Sequence, residues 1–366
     1  MQLNDAASIL LYLVVFLTAG IFAYLGEKKK CKTFYILAIL LPVLLASFRF
    51  TTGTDSLTYR TLYDEIGNES SSFTSYRVSS GELEPFVVYA SVLGNALHLP
   101  ASFLFFLFAG ITAVALFFTT RIVSQKHAWL IYGMLLFIVF PEGMNVMRQV
   151  AANSVQALAL AYVFNEHQNG RRARVTSTLL LVAFSITLHY SSVLLLPVFF
   201  LPTIIKHVRG YTLALLLSLL IALCVLAFPA LLEFVIDLGI ISQRHYATFM
   251  EIEGSLINVK FFAALIAAAA LIANYNRRKK LIDKQYSLLM LLGVSYAAVG
   301  FYSGYLGRLA IFFWIFIIMF AGKLLCQLFT KESHRIAICS AVAIMYFIVY
   351  FYLLEFNALI PYSFGA

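Results

Sequence analysis

The sequence predicts an all-α integral membrane protein of about twelve transmembrane helices, with short outer-face helices and no soluble domain. Composition is the first reason. Apolar residues fill 62% of the 366 positions and charged residues only 12%, where soluble domains average about 45–50% and about 25%. Mean hydropathy is +0.89. The second reason is the recurrence of apolar runs near the roughly 20 residues that a helix needs to cross a bilayer. The third is how the charges sort between those runs. Together these exclude a soluble enzyme, a disordered tail and a nucleic-acid-binding domain.

The expected crossings are 7–25, 33–49, 101–120, 128–144, 146–164, 175–191, 193–206, 211–228, 257–275, 286–302, 305–325 and 336–355. Several are short, 193–206 above all, so tilted or broken spans are expected. A further apolar stretch, 85–99, is too short to span comfortably and reads as a re-entrant or interfacial helix. The first segment is not a cleavable signal peptide. Met1 to Ser8 carries Asp5 and no Lys or Arg, and the cluster Lys28, Lys29, Lys30 and Lys32 follows the apolar run. That order predicts an outer N-terminus and inner lysines.

Alternation from there places 19 of the 26 Lys and Arg residues in inner loops, with four carboxylates: Glu27, Glu166, Asp283 and Glu332. The net charge of +9 is therefore a topology signal rather than a ligand surface. Both termini are predicted on the outer side. Two outer segments are long, about 50–84 and about 229–256, and the second contains an amphipathic stretch, 231–246. No fixed-period repeat or low-complexity run is present, so 1–366 reads as one polytopic membrane domain. Cys31, Cys224, Cys326 and Cys339 lie outside long hydrophilic loops, and no disulfide framework is readable.

Seven basic residues fall on the outer side against the rule: Arg49, Arg60, Arg77, Arg148, Arg244, Lys260 and Arg308. Arg60 and Arg77, in a hydrophilic segment, read as solvated surface charge. Arg49, Arg148 and Arg308 sit at helix ends beside Gly, Asn or aromatic residues. A charge near hydrocarbon costs about 2.5–3.5 kcal/mol on insertion scales unless paired or hydrated. Snorkelling to lipid phosphates explains any one of them. Three at one depth point to a shared cavity for a phosphate or pyrophosphate, which guanidinium binds bidentately. Asp55, Glu84 and Glu142 share that depth, each as a base or as the partner of an arginine. His189, in Leu-His-Tyr-Ser-Ser, joins them as a candidate base, imidazole being suited by residue type to that task. Tyr302 and Tyr305, beside Arg308, belong either to the interfacial belt or to a sugar site. No zinc spacing, Asp-x-Asp pair, P-loop or Gly-x-Ser-x-Gly elbow occurs, and no cofactor is called for.

Several of these segments, in order, resemble the EpsG family of bacterial exopolysaccharide proteins and the wider Wzy-type polymerases. Phe48-Arg49-Phe50-Thr51-Thr52-Gly53-Thr54-Asp55 with Tyr59 is similar to the family's Arg, Gly-Thr-Asp, Tyr pattern. Glu84-Pro85-Phe86 is similar to its Glu-opened helix. Asn145 with Arg148-Gln149 and Ala151 is similar to its Arg-Gln-x-x-Ala signature, and His189 with Ser191 and Ser192 to its His-x-Ser. Arg308 takes the place of its late arginine, and Asn357 to Pro361-Tyr362 resembles its ending.

The resemblance implies a glycosyltransferase of the bacterial inner membrane with a GT-C-like helical bundle, independent of metal. It would transfer a growing glycan from undecaprenyl pyrophosphate to a hydroxyl of an incoming lipid-linked repeat unit on the periplasmic face. Arg148, Arg308 and Arg49 are expected to stabilise the pyrophosphate leaving group. Asp55, Glu84 and His189 form the pool from which the base comes. Substrate contacts are expected from Arg49, Tyr59, Glu142, Asn145, Gln149, Arg244, Tyr302 and Tyr305. Expected partners are the undecaprenyl-pyrophosphate-linked oligosaccharide, the bilayer, a chain-length regulator and a flippase, and no nucleic acid. The alternatives are a glycan ligase using the same donor, a transporter or flippase of lipid-linked sugar, and a sugar acyltransferase using His189. Transporter sites usually lie near the midplane rather than at the outer rim.

Overall fold

The computed structural model describes residues 1–69, 83–124, 126–168, 175–200 and 310–365, with Leu289, Leu292 and Gly293 besides. Apart from two isolated bridges, every described element is helical. The chain falls into two compact units, residues 1–196 with 322–366, and residues 197–321. In the second unit the description covers 197–200, Ala310–Ala321 and the three isolated positions, and Phe312 meets Phe313 and Phe316 edge-on. The expected crossings 211–228, 257–275 and 286–302 lie outside the described residues, except for Leu289, Leu292 and Gly293.

The first unit opens with a helical hairpin. α1 (Asp5–Lys29) is capped by Asn4, whose side-chain oxygen accepts from the Ala7 N–H at 2.8 Å. It closes with Lys28 and Lys29 in its last turn, cations that suit the helix dipole. α2 (Lys32–Ser47) returns after a two-residue link. Its last turn ends as the Ser47 hydroxyl bonds back to the Val43 carbonyl at 2.6 Å. The helix stops two residues before the predicted limit. Arg49 therefore sits beyond the helix, in extended backbone bridged to Phe364.

The segment expected as a loop at 50–84 begins instead with a helix, α3 (Ser56–Glu69). Ser56, Tyr59, Arg60, Tyr63 and Ile66 recur at helical spacing and are all buried, so one face is core. α4 (Pro85–Ala96) packs on α3. Its 12 residues span about 18 Å, short of the roughly 30 Å hydrocarbon core. α5 (Ser102–Val123) is a full-length apolar helix that packs against α2 and against α8 (Met147–Gln168).

The predicted crossing 128–144 is broken. α6 (Ala128–Ile138) ends at Val139, and one turn, α7 (Phe140–Gly143), follows. Pro141 lacks the N–H that a continuing helix needs, so the chain turns through Met144 to Val146 before α8 begins. That elbow carries Glu142 and Asn145. α9 (Val175–Leu188) packs on α8 and gives way to a 3-10 helix, Tyr190–Phe200, containing Pro197, where a crossing at 193–206 was expected.

After α10 (Ala310–Leu328) and α11 (Glu332–Phe347), a π-helical turn, Ile348–Leu353, leads into an extended tail. Among the described residues four helices are long and apolar enough to cross a membrane: Asp5–Lys29, Ser102–Val123, Ala310–Leu328 and Glu332–Leu353.

The tail knits both termini to the segment after α2. Phe364 N donates to Met1 O at 2.8 Å and Leu3 N to Tyr362 O at 2.9 Å. Ser363 N donates to Thr52 Oγ1 at 2.8 Å, and Phe50 N to Ser363 O at 2.8 Å. Beneath them Tyr12, Phe16, Phe137, Phe347 and Tyr362 form a run of ring contacts at 5.2–6.3 Å. These rings tie α1, α6 and α11 to the tail. Both termini thus lie at the end of the bundle that carries Arg49. The opposite end gathers Lys28 over Tyr24, Arg121 over Tyr35, and Arg335 beside His127.

Gly53 is the tightest point of this knit. Its φ is +90°, and a Cβ there would lie 2.9 Å from the Met144 carbonyl oxygen. Gly53→Ala is expected to lower stability by about 1–3 kcal/mol through backbone strain and that collision, measurable as an earlier thermal unfolding midpoint in detergent.

Candidate functional site

Four elements deliver side chains to one cluster. Glu84 is the residue before α4, and Pro85 at the first helical position favours extended backbone at Glu84 (φ −66°, ψ 140°). Its carboxylate does not cap its own helix. It reaches instead to two neighbours. Arg148, in the first turn of α8, donates to Glu84 Oε2 through Nη1, forming an ion pair. His189, directly after α9, sets Nδ1 2.6 Å from Glu84 Oε1. From α3, Tyr59 accepts a hydrogen bond from Arg148 Nε at 3.1 Å, and its ring lies 5.4 Å from the guanidinium carbon. The floor is a core of Tyr59, Tyr63, Val87, Phe105, Met147 and Leu188.

Burial pushes the Glu84 carboxyl up, but the His189 hydrogen bond and the Arg148 charge outweigh it and hold it below the usual carboxylate range. Glu84 is thus an anion between two groups that favour its charge. Burial raises the Tyr59 phenol above its ordinary range, against the opposing charge of Arg148, so the hydroxyl stays neutral.

The cluster leaves two atoms open. Arg148 spends Nε on Tyr59 and Nη1 on Glu84, while Nη2 has no partner among the described residues and is not enclosed. The Arg148 side chain is 26% exposed. His189 spends Nδ1 on Glu84, leaving Nε2 without a partner among the described residues and not enclosed. A guanidinium edge and an imidazole nitrogen, held by one carboxylate, can bind an oxyanion and accept a proton in the same place.

A second group flanks it. Asn145, in the elbow, accepts from the Thr54 hydroxyl at 2.7 Å and from the Asp55 N–H at 3.0 Å. Its own amide donates to Asn357 Oδ1 at 2.9 Å. Asp55 is half-buried, and its carboxylate accepts from the Thr54 hydroxyl at 3.2 Å while pairing with no cation among the described residues. The tail and the Gly-Thr-Asp segment therefore fix each other through one amide. Glu142 is buried within the elbow, in electrostatic reach of Tyr350, and does not touch Arg148. Gln149 is buried beside Arg148 in sequence and makes no hydrogen bond to the described residues.

Arg49 is 1% exposed. It donates to the Ala46 carbonyl at 2.8 Å, approaches Met147 Sδ at 3.9 Å and stacks 4.2 Å from the Phe105 ring centre. The reading of Arg60 as solvated surface charge is overturned. Arg60 is 9% exposed and donates Nη2 to the Arg49 carbonyl at 2.6 Å. It lies over Phe50 and Phe105 at 4.9 and 5.3 Å. Its position one residue after Tyr59 on a helical-period face was the signal that could have placed it. The Nε atoms of both arginines are buried without an acceptor among the described residues, which costs about 1–3 kcal/mol each.

Arg244, Arg308, Tyr302 and Tyr305 lie outside the described residues, as do Arg77 and Lys260. Of the expected set, Tyr59, Glu84, Arg148 and His189 come together by direct contact, and Asp55 joins Asn145 beside them. No curated protein and no solved structure matches the chain. A family model does match, over residues 32–364, and by that extent the chain belongs to the EpsG family.

Proposed function

We propose that this EpsG-family membrane protein is a polysaccharide polymerase. It transfers a growing glycan from undecaprenyl pyrophosphate to a hydroxyl of an incoming lipid-linked repeat unit, on the periplasmic face of a bacterial inner membrane. One observation carries the reading: Glu84 holds Arg148 and His189 together with Arg148 Nη2 and His189 Nε2 both open. Family membership supports the substrate class. The juxtaposed termini, both next to Arg49, are in keeping with both ends lying on the periplasmic side.

In this mechanism the acceptor hydroxyl oxygen attacks the anomeric carbon of the donor glycan. Its proton passes to His189 Nε2 while Glu84 orients the ring and balances the imidazolium. The bond from the anomeric carbon to the phosphate oxygen breaks, and the electron pair leaves with undecaprenyl pyrophosphate. Arg148 meets that charge with Nη2, preorganised by Tyr59 and Glu84 so that little rearrangement is needed as charge develops. Arg308, the counterpart of the family's late arginine, is a further candidate for phosphate contact. Asp55, presented by Asn145, accepts a sugar hydroxyl. Arginines rather than a metal ion supply the positive charge, the bundle is of GT-C-like type, and a chain-length regulator and a flippase work beside it.

The test uses purified full-length protein with a lipid-pyrophosphate-linked oligosaccharide repeat, in buffer with chelator. A ladder at multiples of the repeat mass is expected on gels or by mass spectrometry. Intact substrate from well-folded protein overturns the polymerase reading, and transfer only to an added second acceptor would make the chain a ligase.

A further inference from the structure

The charge around the cluster is unevenly compensated. Arg148 has Glu84 as a partner. Arg49 and Arg60 have none: among the described residues no carboxylate forms an ion pair with either, and Asp64, one turn along α3, acts on Arg60 only through space. As residues Arg49 and Arg60 are 1% and 9% exposed, both lie against Phe105, and both keep an Nε without an acceptor among the described residues. Two like charges enclosed side by side repel, and burial removes the water that would screen them. Snorkelling does not account for them, because Arg49 is turned into protein rather than out to headgroups.

The donors that are taken fix where a ligand must come from. Arg49 Nη1 is held by the Ala46 carbonyl, and Nη2 faces Met147 Sδ. Arg60 Nη2 is held by the Arg49 and Gly365 carbonyls at 2.6 and 3.4 Å. Arg60 Nη1 has no partner among the described residues and is not enclosed. The exposed donor therefore belongs to Arg60, and Arg49 adds field from behind. Tyr59 and Arg60 are consecutive on α3, with Tyr59 bonded to Arg148 and Arg60 to the backbone of Arg49. The two cationic groups thus meet α3 at consecutive residues, each bound to different partners.

We infer that Arg60, backed by Arg49, is a second oxyanion site, and that it holds the diphosphate of the second lipid-linked substrate. The inference rests on the proposed function. A polymerase that joins two lipid-linked glycans must seat two diphosphates at headgroup depth at once. Separate cationic posts let both enter without their charges meeting. Arg148 takes the diphosphate that leaves, and Arg60 takes the one that stays attached to the acceptor.

The experiment counts bound diphosphates by native mass spectrometry and titration. It uses full-length protein in phosphatidylcholine nanodiscs, with farnesyl diphosphate as probe. Wild type is expected to bind two. Arg60→Gln is expected to bind one, and Arg60→Lys to keep two with the weaker about tenfold looser, since a point charge replaces the fork. In the ladder assay Arg60→Gln should raise KM for the acceptor unit at least about tenfold while kcat falls little. Thermal unfolding of each variant reports whether the fold is kept. Two diphosphates bound equally well by folded Arg60→Gln overturns the site. Equal competition by phosphatidylglycerol or inorganic phosphate overturns the lipid-diphosphate assignment. Two diphosphates lost one by one in Arg60→Gln and Arg148→Gln, with no polymer made by wild type, would sink the function and leave the site standing.

Discussion

Arg148→Ala is expected to abolish the polymer ladder and to cost about 3 kcal/mol of stability, the lower end for breaking a buried ion pair. The lower end applies because the Arg148 side chain is 26% exposed while Glu84 is 5% exposed. The loss has two separable origins. One is the orphaned Glu84 carboxylate, left buried with His189 as its remaining partner. The other is the missing guanidinium edge at the leaving group, worth about 10²–10³ in rate for a single preorganised donor. A double variant divides them. Arg148→Ala with Glu84→Gln removes the orphaned charge, so stability should return while the ladder stays absent. Arg148→Lys keeps one positive charge but cannot bridge Tyr59 and Glu84 and still offer a third donor. It should fold near normally and polymerise about 10²-fold more slowly. Thermal unfolding and the ladder assay on the same preparations read both effects. Normal ladders from Arg148→Ala would remove Arg148 from the chemistry altogether.

The parts of the site that were readable in advance are those where a local rule and the topology agree. Glu84 before Pro85 marked a helix start, and the structure places that carboxylate in front of α4. Arginines at helix ends marked one depth, and Arg49 and Arg148 do lie at one end of the first unit, where Arg49 meets Met147, the residue before Arg148. What the sequence concealed depends on contacts far apart in the chain. Nothing local tells that Arg148 will pair with Glu84, 64 positions earlier, or that His189 will join them across 105. Arg60 was hidden by the polar look of its segment. Helical spacing of Tyr59, Tyr63 and Ile66 existed there, but serine and charged residues masked it. The break after Ile138 turned on Pro141, which was read as lying inside a crossing rather than ending it.

The C-terminal tail shows the same limit. Asn357 stood out as part of a family-like ending, but its partner could not be read. The structure joins it to Asn145, so that one amide supports the Asp55 segment from 212 residues away. Positioning by a tail also explains why Asp55 can stay unpaired by any described cation. Its backbone N–H and the neighbouring Thr54 hydroxyl are held by Asn145, and its carboxylate accepts only from that hydroxyl among the described residues.

His189→Gln and Glu84→Gln distinguish the base from the group that positions it. His189→Gln can still donate to Glu84 through its amide N–H, yet it has no nitrogen to take a proton, and turnover should fall about 10²–10⁴-fold at every pH. Glu84→Gln keeps the shape and removes the charge that orients the ring, so turnover should fall within the same range of about 10²–10⁴ while KM for donor changes little. The stability profiles then separate the two. Glu84 is held below the usual carboxylate range by His189 and Arg148. A depressed carboxylate adds stability that is complete above its unfolded value near 4.3 and is lost as pH falls through the folded value. Wild type should therefore weaken progressively below about pH 4, and Glu84→Gln, already lacking that contribution, should show a flatter acid side. A Glu84→Gln enzyme with full turnover would leave His189 acting without it, and the carboxylate would then serve only to hold Arg148.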